Sequence, residues 1–454
     1  MAPQVDSLVD LDGSEGKIEF VENSAWVGTH IFIYRFSRFI ARGNIVYRRS
    51  LIGLGGIVLM QDVTGEIHPG IRIHDNVLNT APGICLLLNV TAVVEGIVIE
   101  NNVAFGEPDV YGHGWGGGGF AIMDDSNLVL RNSVIRGNSA KSGGGISTDP
   151  FSEQAFGRVL VMEDVEITSN IARGGDVGGD GGGARMMSVM AEMTRVIFQN
   201  NTAAGKGGAV SFQSDSQVNV TSCSLSDNTA RWHGGGWSAD ALYTNILATS
   251  TLLARNRALQ GEGGCAYLSG TSSLSLAKVD LRSCSAGTHG GGISMRGKST
   301  LSFADDVSIC DCTTEGMGGG VLAAGESVKV NADTDMRVLV EKNRARQGGG
   351  ICCMSRIAFE GQSNSVIVAN EASEDGGGIF AFSSYAELVV GSDHQLVLQG
   401  NVAARDGGGI CLKQGAQLTV QTPPCSSLCS NEMRGDGLCD HGCMSASCNW
   451  DNGI

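Results

Sequence analysis

Basic residues are scarce in this sequence: 31 Lys plus Arg stand against 47 Asp plus Glu in 454 residues, a formal charge of -16. Affinity for nucleic acid rests on cations that neutralise phosphates, so the balance argues against a nucleic-acid partner. Proline is nearly missing, with 7 residues, which removes proline-rich linkers and, without a Gly-X-Y triplet, a collagen helix. Long apolar runs are missing too. The most apolar stretch, residues 84–99, is broken by Asn89, Thr91 and Glu95, and is too short and too polar for a transmembrane segment. Residues 1–20 carry Asp6, Asp10, Asp12 and Glu15 with no apolar segment behind a basic flank, so no signal peptide is legible there. At 42% hydrophobic and 17% charged residues, the chain is too apolar to be disordered and long enough to build a large core.

What is abundant is glycine, 67 residues, and it is placed periodically. The phrase "apolar, two residues, Asn, any, Ala, a few residues, Gly-Gly-Gly, apolar" recurs with its asparagine at Asn102, Asn138, Asn170, Asn201, Asn228, Asn256, Asn343, Asn370 and Asn401, and cysteine takes the same place at Cys284 and Cys312. The eleven markers are 27 to 36 residues apart, and Gly runs such as 143–145, 181–183, 234–236 and 407–409 keep step with them. Fainter copies around Asn23 and Asn76 carry the pattern back toward residue 15.

Between markers the apolar residues alternate, as in Val210 and Phe212, Val218 and Val220, and Leu274 and Leu276, which is the period of a strand. A repeat of this length holding three short strands buries one face per strand by stacking on its neighbours. A helical solenoid of similar period fails, because three adjacent glycines cost about 3 kcal/mol in any helix. The expected fold is all-β, a right-handed single-stranded parallel β-helix of about 11 to 14 rungs. Its expected boundaries are an N-terminal extension over 1–14, the β-helix over 15–422 with regular rungs over 101–412, and a small disulfide-rich C-terminal module over 423–454. Glycine suits sharp corners and close rung contacts. Asparagine tolerates left-handed backbone, and its amides, stacked about 4.8 Å apart, are placed to hydrogen-bond as a structural ladder.

The pair Phe198-Gln199-Asn200-Asn201 and Gly207-Gly208-Ala209-Val210 resembles the FxxN and GGA(I/L/V) motifs of the chlamydial polymorphic outer-membrane proteins, and looser copies cover most of 100–412. That resemblance implies a pectin-lyase-like β-helix and an adhesin's role; the family's membrane barrel has no counterpart in this sequence. After Pro423-Pro424 the run Cys425, Cys429, Cys439, Cys443, Cys448, with Asp436-Gly437-Leu438-Cys439-Asp440 and Cys448-Asn449-Trp450-Asp451, resembles a Lin-Notch repeat (LNR). The resemblance implies disulfides Cys425–Cys448 and Cys429–Cys443, a sixth cysteine beyond Ile454 for Cys439, and Ca²⁺ as cofactor on Asp436 and Asp451, hard oxygen ligands of the kind that ion takes. The family's further acidic ligand is Ile454 in this chain. Cys284 and Cys312, in neighbouring rungs, are expected to stack within disulfide range and to bond in a secreted protein, with two buried thiols as the other reading. Cys352 and Cys411 share a rung position two rungs apart and are expected as thiols.

The functional reading is a non-enzymatic extracellular or cell-surface scaffold that binds carbohydrate or a surface protein. The cysteine-rich tail and the sequons at Asn89, Asn200 and Asn219 point outside the cell. The alternative is a polysaccharide lyase or glycoside hydrolase. Its candidates, Asp124-Asp125, Asp305-Asp306 and Gly112-His113-Gly114, lack a neighbouring basic constellation in the sequence, and no catalytic residue is assigned. His233 and His289 read as a recurring option before the Gly run. Arg434-Gly435-Asp436 is a tripeptide that some adhesion receptors read. Insertions after Tyr111, over 149–156 and over 173–180 are where one wall of a cleft would be built. Carboxylates of adjacent rungs converging in one groove with a Lys or Arg would favour the enzyme.

Overall fold

The computed structural model describes residues 7–51, 53, 55–105, 116–149, 158–174, 178–241, 243–332, 337–361 and 363–421. Among them there is no helix. Every strand ladder is parallel, and the strands form sheets of 25, 12 and 14 members. The fourteen-stranded sheet takes one strand from each turn, so the chain is a β-solenoid of fourteen turns.

One turn shows the construction. Ala184–Met187 lies in the fourteen-stranded sheet; Val189–Thr194 and Ile197–Gln199 lie in the large sheet; Thr202–Ala203 lies in the twelve-stranded sheet. The chain then returns to the first sheet as Val210–Gln213, with Ala184 beside Val210 and Met186 beside Phe212. Inward residues alternate with outward ones, as period two requires, and the inward set forms one continuous core running from Ile33 to Val390. Pairing with the next turn already starts at Ser7, in Ser7–Val21, so part of the stretch expected as an N-terminal extension is strand.

Corners are made by left-handed residues. In this turn they are Ser188 (φ 46), Arg195 (φ 54), Asn200 (φ 55) and Gly207 (φ 67). The ladder asparagines are not themselves left-handed. The residue before each one is, whatever its type: Asn101 (φ 54), Ser169 (φ 56), Asp227 (φ 59), Arg255 (φ 53) and Lys342 (φ 52). A non-glycine residue there costs roughly 1–2 kcal/mol, so something must hold the corner.

The buried asparagine next to it does so. Asn201 Nδ2 donates to Asn228 Oδ1 at 3.0 Å, the Asn201 backbone N–H donates to the same oxygen at 3.0 Å, and Asn228 Nδ2 reaches back to the Phe198 carbonyl at 3.0 Å. The same bonds repeat from Asn76 through Asn102, Asn138, Asn170, Asn201 and Asn228 to Asn256, and again from Asn343 through Asn370 to Asn401. Between Asn256 and Asn343 the column holds Cys284 and Cys312.

The Gly run does two jobs. Gly207 is left-handed, and a Cβ there would lie 2.3 Å from the Val210 carbonyl oxygen. Gly208 faces the next turn, where a Cβ would lie 2.2 Å from the Gly235 carbonyl oxygen. The first glycine turns the chain back over its own strand, and the second lets adjacent turns touch.

Candidate functional site

Because the Gly run folds back, the residue before it lies over the outer face of the fourteen-stranded sheet. Glycine N–H groups stack these residues one per turn: Gly181 N–H donates to the Lys206 carbonyl at 2.9 Å, Gly207 to His233 at 2.9 Å, Gly234 to Glu262 at 2.9 Å and Gly263 to His289 at 3.0 Å. Beneath them run the outward residues of the strands themselves. Val58, Cys85, Ala121 and Met123 make this face apolar at one end, and Leu322, Cys352, Phe380 and Cys411 make it apolar at the other. Between the two lie Arg185, Ser211, Ser238, Tyr267 and Ser294 in register, with Gln213, Asp240, Ser269 and Arg296 further along their strands.

Charge converges in that middle section. Lys206 Nζ is paired with Asp240, which also accepts the Ser269 hydroxyl. Arg296 clasps Glu262 with two bonds, Nη2 to Oε1 at 2.7 Å and Nε to Oε2 at 2.9 Å, and Ser294 Oγ donates to Oε2 at 2.7 Å. Asp180 accepts the Lys206 backbone N–H at 2.7 Å and Gln213 Nε2 at 2.8 Å, while Gln213 Oε1 accepts Arg185 Nε at 3.2 Å. The His233 and Tyr267 rings are stacked, centroids 4.4 Å apart and 18° from parallel. Lys206, Asp240, Glu262 and Arg296 all act electrostatically on His233.

The protonation states follow from these contacts. Burial works against charge on Asp240 and on Glu262, but Lys206 with Ser269, and Arg296 with Ser294, outweigh it and hold both carboxyls below the usual range. Burial also opposes the Lys206 ammonium, and Asp240 overcomes it, raising the lysine. Burial lowers His233 and His289. Each histidine Nδ1 accepts a backbone N–H, from Glu262 at 3.1 Å and from Met317 at 3.0 Å, so the neutral rings carry their proton on Nε2. The result is a preformed row of fixed ion pairs and neutral rings. A glycosidase's proton donor needs a carboxyl raised toward neutrality; Asp240 and Glu262 are shifted the other way.

The residues singled out in the sequence fall elsewhere. Asp305 pairs with Lys278 at 3.4 Å, Asp306 accepts the Arg337 N–H at 2.7 Å, and Asp125 is exposed. The pair Asp305-Asp306 thus lies at an exposed strand end. The sequon asparagines Asn89, Asn200 and Asn219 are exposed. Gly112-His113-Gly114, residues 150–157, Arg434-Gly435-Asp436, Cys425, Cys429, Cys443, Cys448, Asp436 and Asp451 lie outside the described residues. Cys284 is bonded to Cys265, Cα atoms 5.5 Å apart, a partner not considered from the sequence, and Cys312 is a free, buried thiol. The reason is that Cys265 replaces the third glycine of its run. In neighbouring turns a Cβ at that place would point at the next ladder residue, 3.3 Å from Asn256 Nδ2 at Gly236 and 3.4 Å from Cys312 Sγ at Gly292. Phe380 separates Cys352 from Cys411 in the outer column, and both are thiols.

The charged cluster escaped the sequence reading because its members are scattered over more than a hundred residues. The signal that finds it is positional: the residue before each Gly run, and the second and fourth residues of the strand after it.

Among the described residues no helix is long and apolar enough to cross a membrane. Residues 422–453 match the LNR domain of Notch, and residues 195–213 match the Chlamydia polymorphic membrane protein repeat. A probable outer membrane protein of Chlamydia pneumoniae, pmp20, is 20% identical over 334 residues, which cover 70% of this chain and 19% of that protein's length. The chain is thus a β-solenoid that carries a polymorphic membrane protein repeat within its charged section and an LNR domain at its C-terminal end, and is distantly similar to a chlamydial outer membrane protein.

Proposed function

We propose that the chain is a cell-surface or extracellular binding scaffold, and that the section from Asp180 to Arg296 on the outer face of the fourteen-stranded sheet is its recognition surface. The observation that carries this reading is the neutralisation of the cluster: Asp240 and Glu262 are each held by a fixed cation, leaving polar groups oriented without reorganisation. Trp232, 44% exposed, stands next to His233, with the Arg231 guanidinium 5.4 Å from its ring centroid. An exposed aromatic face beside fixed hydrogen-bonding groups suits a carbohydrate, whose C–H face stacks on the ring while its hydroxyls take the polar groups. The similarity to an outer membrane protein supports a surface location.

The test is retention of the full chain on immobilised neutral and acidic polysaccharides, compared with Trp232→Ala and Glu262→Gln. The reading expects retention on at least one polysaccharide and at least a tenfold loss in both variants. Equal retention of the variants would remove the recognition surface from this face.

A second reading has its own observation. Carboxylates of different turns, Asp180, Asp240 and Glu262, do converge with Lys206 and Arg296, the arrangement that would favour a polysaccharide-acting enzyme. Against its glycosidase form stands the downward shift of Asp240 and Glu262, each held by its fixed cation, the opposite of what a carboxyl proton donor needs.

A further inference from the structure

The sulfurs of Cys265, Cys284 and Cys312 lie within 4.8 Å of one another, and all three residues are fully buried. They sit where the asparagine ladder is interrupted. Cys284 and Cys312 occupy the ladder column in successive turns, because Ser285 and Thr313, the residues that follow them, are register partners. Cys265 approaches the same point from the third-glycine column of the preceding turn. Cys284 therefore has two partners at bonding range: Cys265, to which it is joined, and Cys312, one rung away. A rung spacing near 4.8 Å lies inside the Cα separation that a disulfide accepts, about 4.4 to 6.8 Å.

We propose that this cluster is an internal disulfide-exchange site, in which Cys284 is shared between a Cys265–Cys284 bond and a Cys284–Cys312 bond. The exchange is balanced without any external oxidant. The Cys312 sulfur, as thiolate, attacks Cys284 Sγ; the Cys284–Cys265 bond breaks; the electron pair leaves on Cys265 Sγ, which takes up the proton that Cys312 gave away. One disulfide and one thiol enter and leave.

The two isomers staple different places. Cys265–Cys284 ties a Gly-run corner to the ladder column of the next turn, while Cys284–Cys312 continues the ladder column itself as a covalent seam across part of the gap between Asn256 and Asn343. Burial pushes the Cys312 thiol up to about 12, so the attacking thiolate is rare in the folded chain near neutral pH, and the isomer present is held kinetically. Exchange then accelerates with rising pH, by up to tenfold per unit, until the thiol itself titrates.

Peptide mapping of the non-reduced full chain tests this. Trypsin places Cys265 in 258–278, Cys284 in 283–296 and Cys312 in 299–329, so the two bonds give different linked pairs; fragmentation distinguishes Cys312 from Cys310 within the last peptide. In the wild type, the pair 258–278 with 283–296 should dominate. The pair 283–296 with 299–329 should grow on incubation at pH 9 to 10 in the absence of oxidant. In Cys265→Gly, which restores the residue that the column carries at Gly236 and Gly292, oxidised glutathione should give only the Cys284–Cys312 linkage. Wild-type material that never yields that linkage at raised pH overturns the proposal, as does a folded Cys265→Gly chain that keeps both thiols free. Should Cys265→Gly not fold, the wild-type incubation decides alone.

Discussion

Replacing Asn228 by alanine tests what holds the turns together. Asn228 is fully buried and makes four side-chain bonds: Oδ1 accepts the backbone N–H and Nδ2 of Asn201, and Nδ2 donates to the Phe198 carbonyl and to Asn256 Oδ1. Asn256 Oδ1 keeps the Asn228 backbone N–H in the variant, and the Asn201 amide keeps its bond to the Ile167 carbonyl at 2.8 Å, so the truncation orphans two groups, the Asn201 N–H and the Phe198 carbonyl. At about 1–3 kcal/mol for each buried group left without a partner, the low end gives about 2 kcal/mol. The left-handed Asp227 (φ 59) beside it loses its brace as well. A solenoid's stability is carried by neighbouring-turn contacts, so the loss should be local first. Hydrogen exchange followed by mass spectrometry is the suitable assay. The amides of 197–203 and 224–230 should lose protection by about thirtyfold or more, and those of 364–372 should change little. Loss below about threefold at 197–203 would refute the view that the asparagine column, and not the apolar core alone, fixes the corners.

Other consequences can be measured independently. Gly208→Ala should prevent stable folding, because its Cβ would meet the Gly235 carbonyl oxygen at 2.2 Å, whereas Gly400→Ala, at φ 60 with nothing within 4 Å, should cost only about 1–2 kcal/mol of backbone strain; urea unfolding of the two variants makes the comparison. Stability should be flat at neutral pH and fall with acid in two stages. His233 and His289 are lowered from the ordinary 6.5, so their contribution is complete above that value and is lost as pH falls through their folded values. Asp240 and Glu262, also lowered, contribute above their unfolded values and lose that contribution at still lower pH. A urea midpoint that rises between pH 6.5 and 5 would contradict this. For the C-terminal module, calorimetric titration of the full chain with Ca²⁺ should show weak uptake, in the range of about 10⁻⁴–10⁻³ M known for extracellular modules, and Asp436→Asn should abolish it; tight binding that survives Asp436→Asn would place the ion elsewhere.

The solenoid is legible in the sequence because each turn repeats the same geometric problem: a left-handed corner, a buried amide and a contact between glycine backbones. What the letters do not convey is which residue carries the strain. Asparagine at the marker suggests left-handed backbone, but the structure puts that conformation one position earlier, at Asp227, Arg255 or Lys342, where no residue type stands out. Cys265 was equally hidden, since only its place at the end of Gly263-Gly264 sets it beside Cys284. The charged face is illegible for a related reason. Asp180, Lys206, His233, Glu262 and Arg296 become neighbours only after turns of unequal length are stacked in register, and period two alone does not tell which outward residues the Gly run covers.

The central functional claim is that this face recognises its ligand and does not cleave it. The purified full chain incubated with pectin, alginate and glucan, followed for reducing ends and for the absorbance of unsaturated products, tests that claim most directly. The account predicts no product above the level given by an Asp240→Asn, Glu262→Gln double variant. Product formation that disappears in that variant would contradict the account and establish the enzyme.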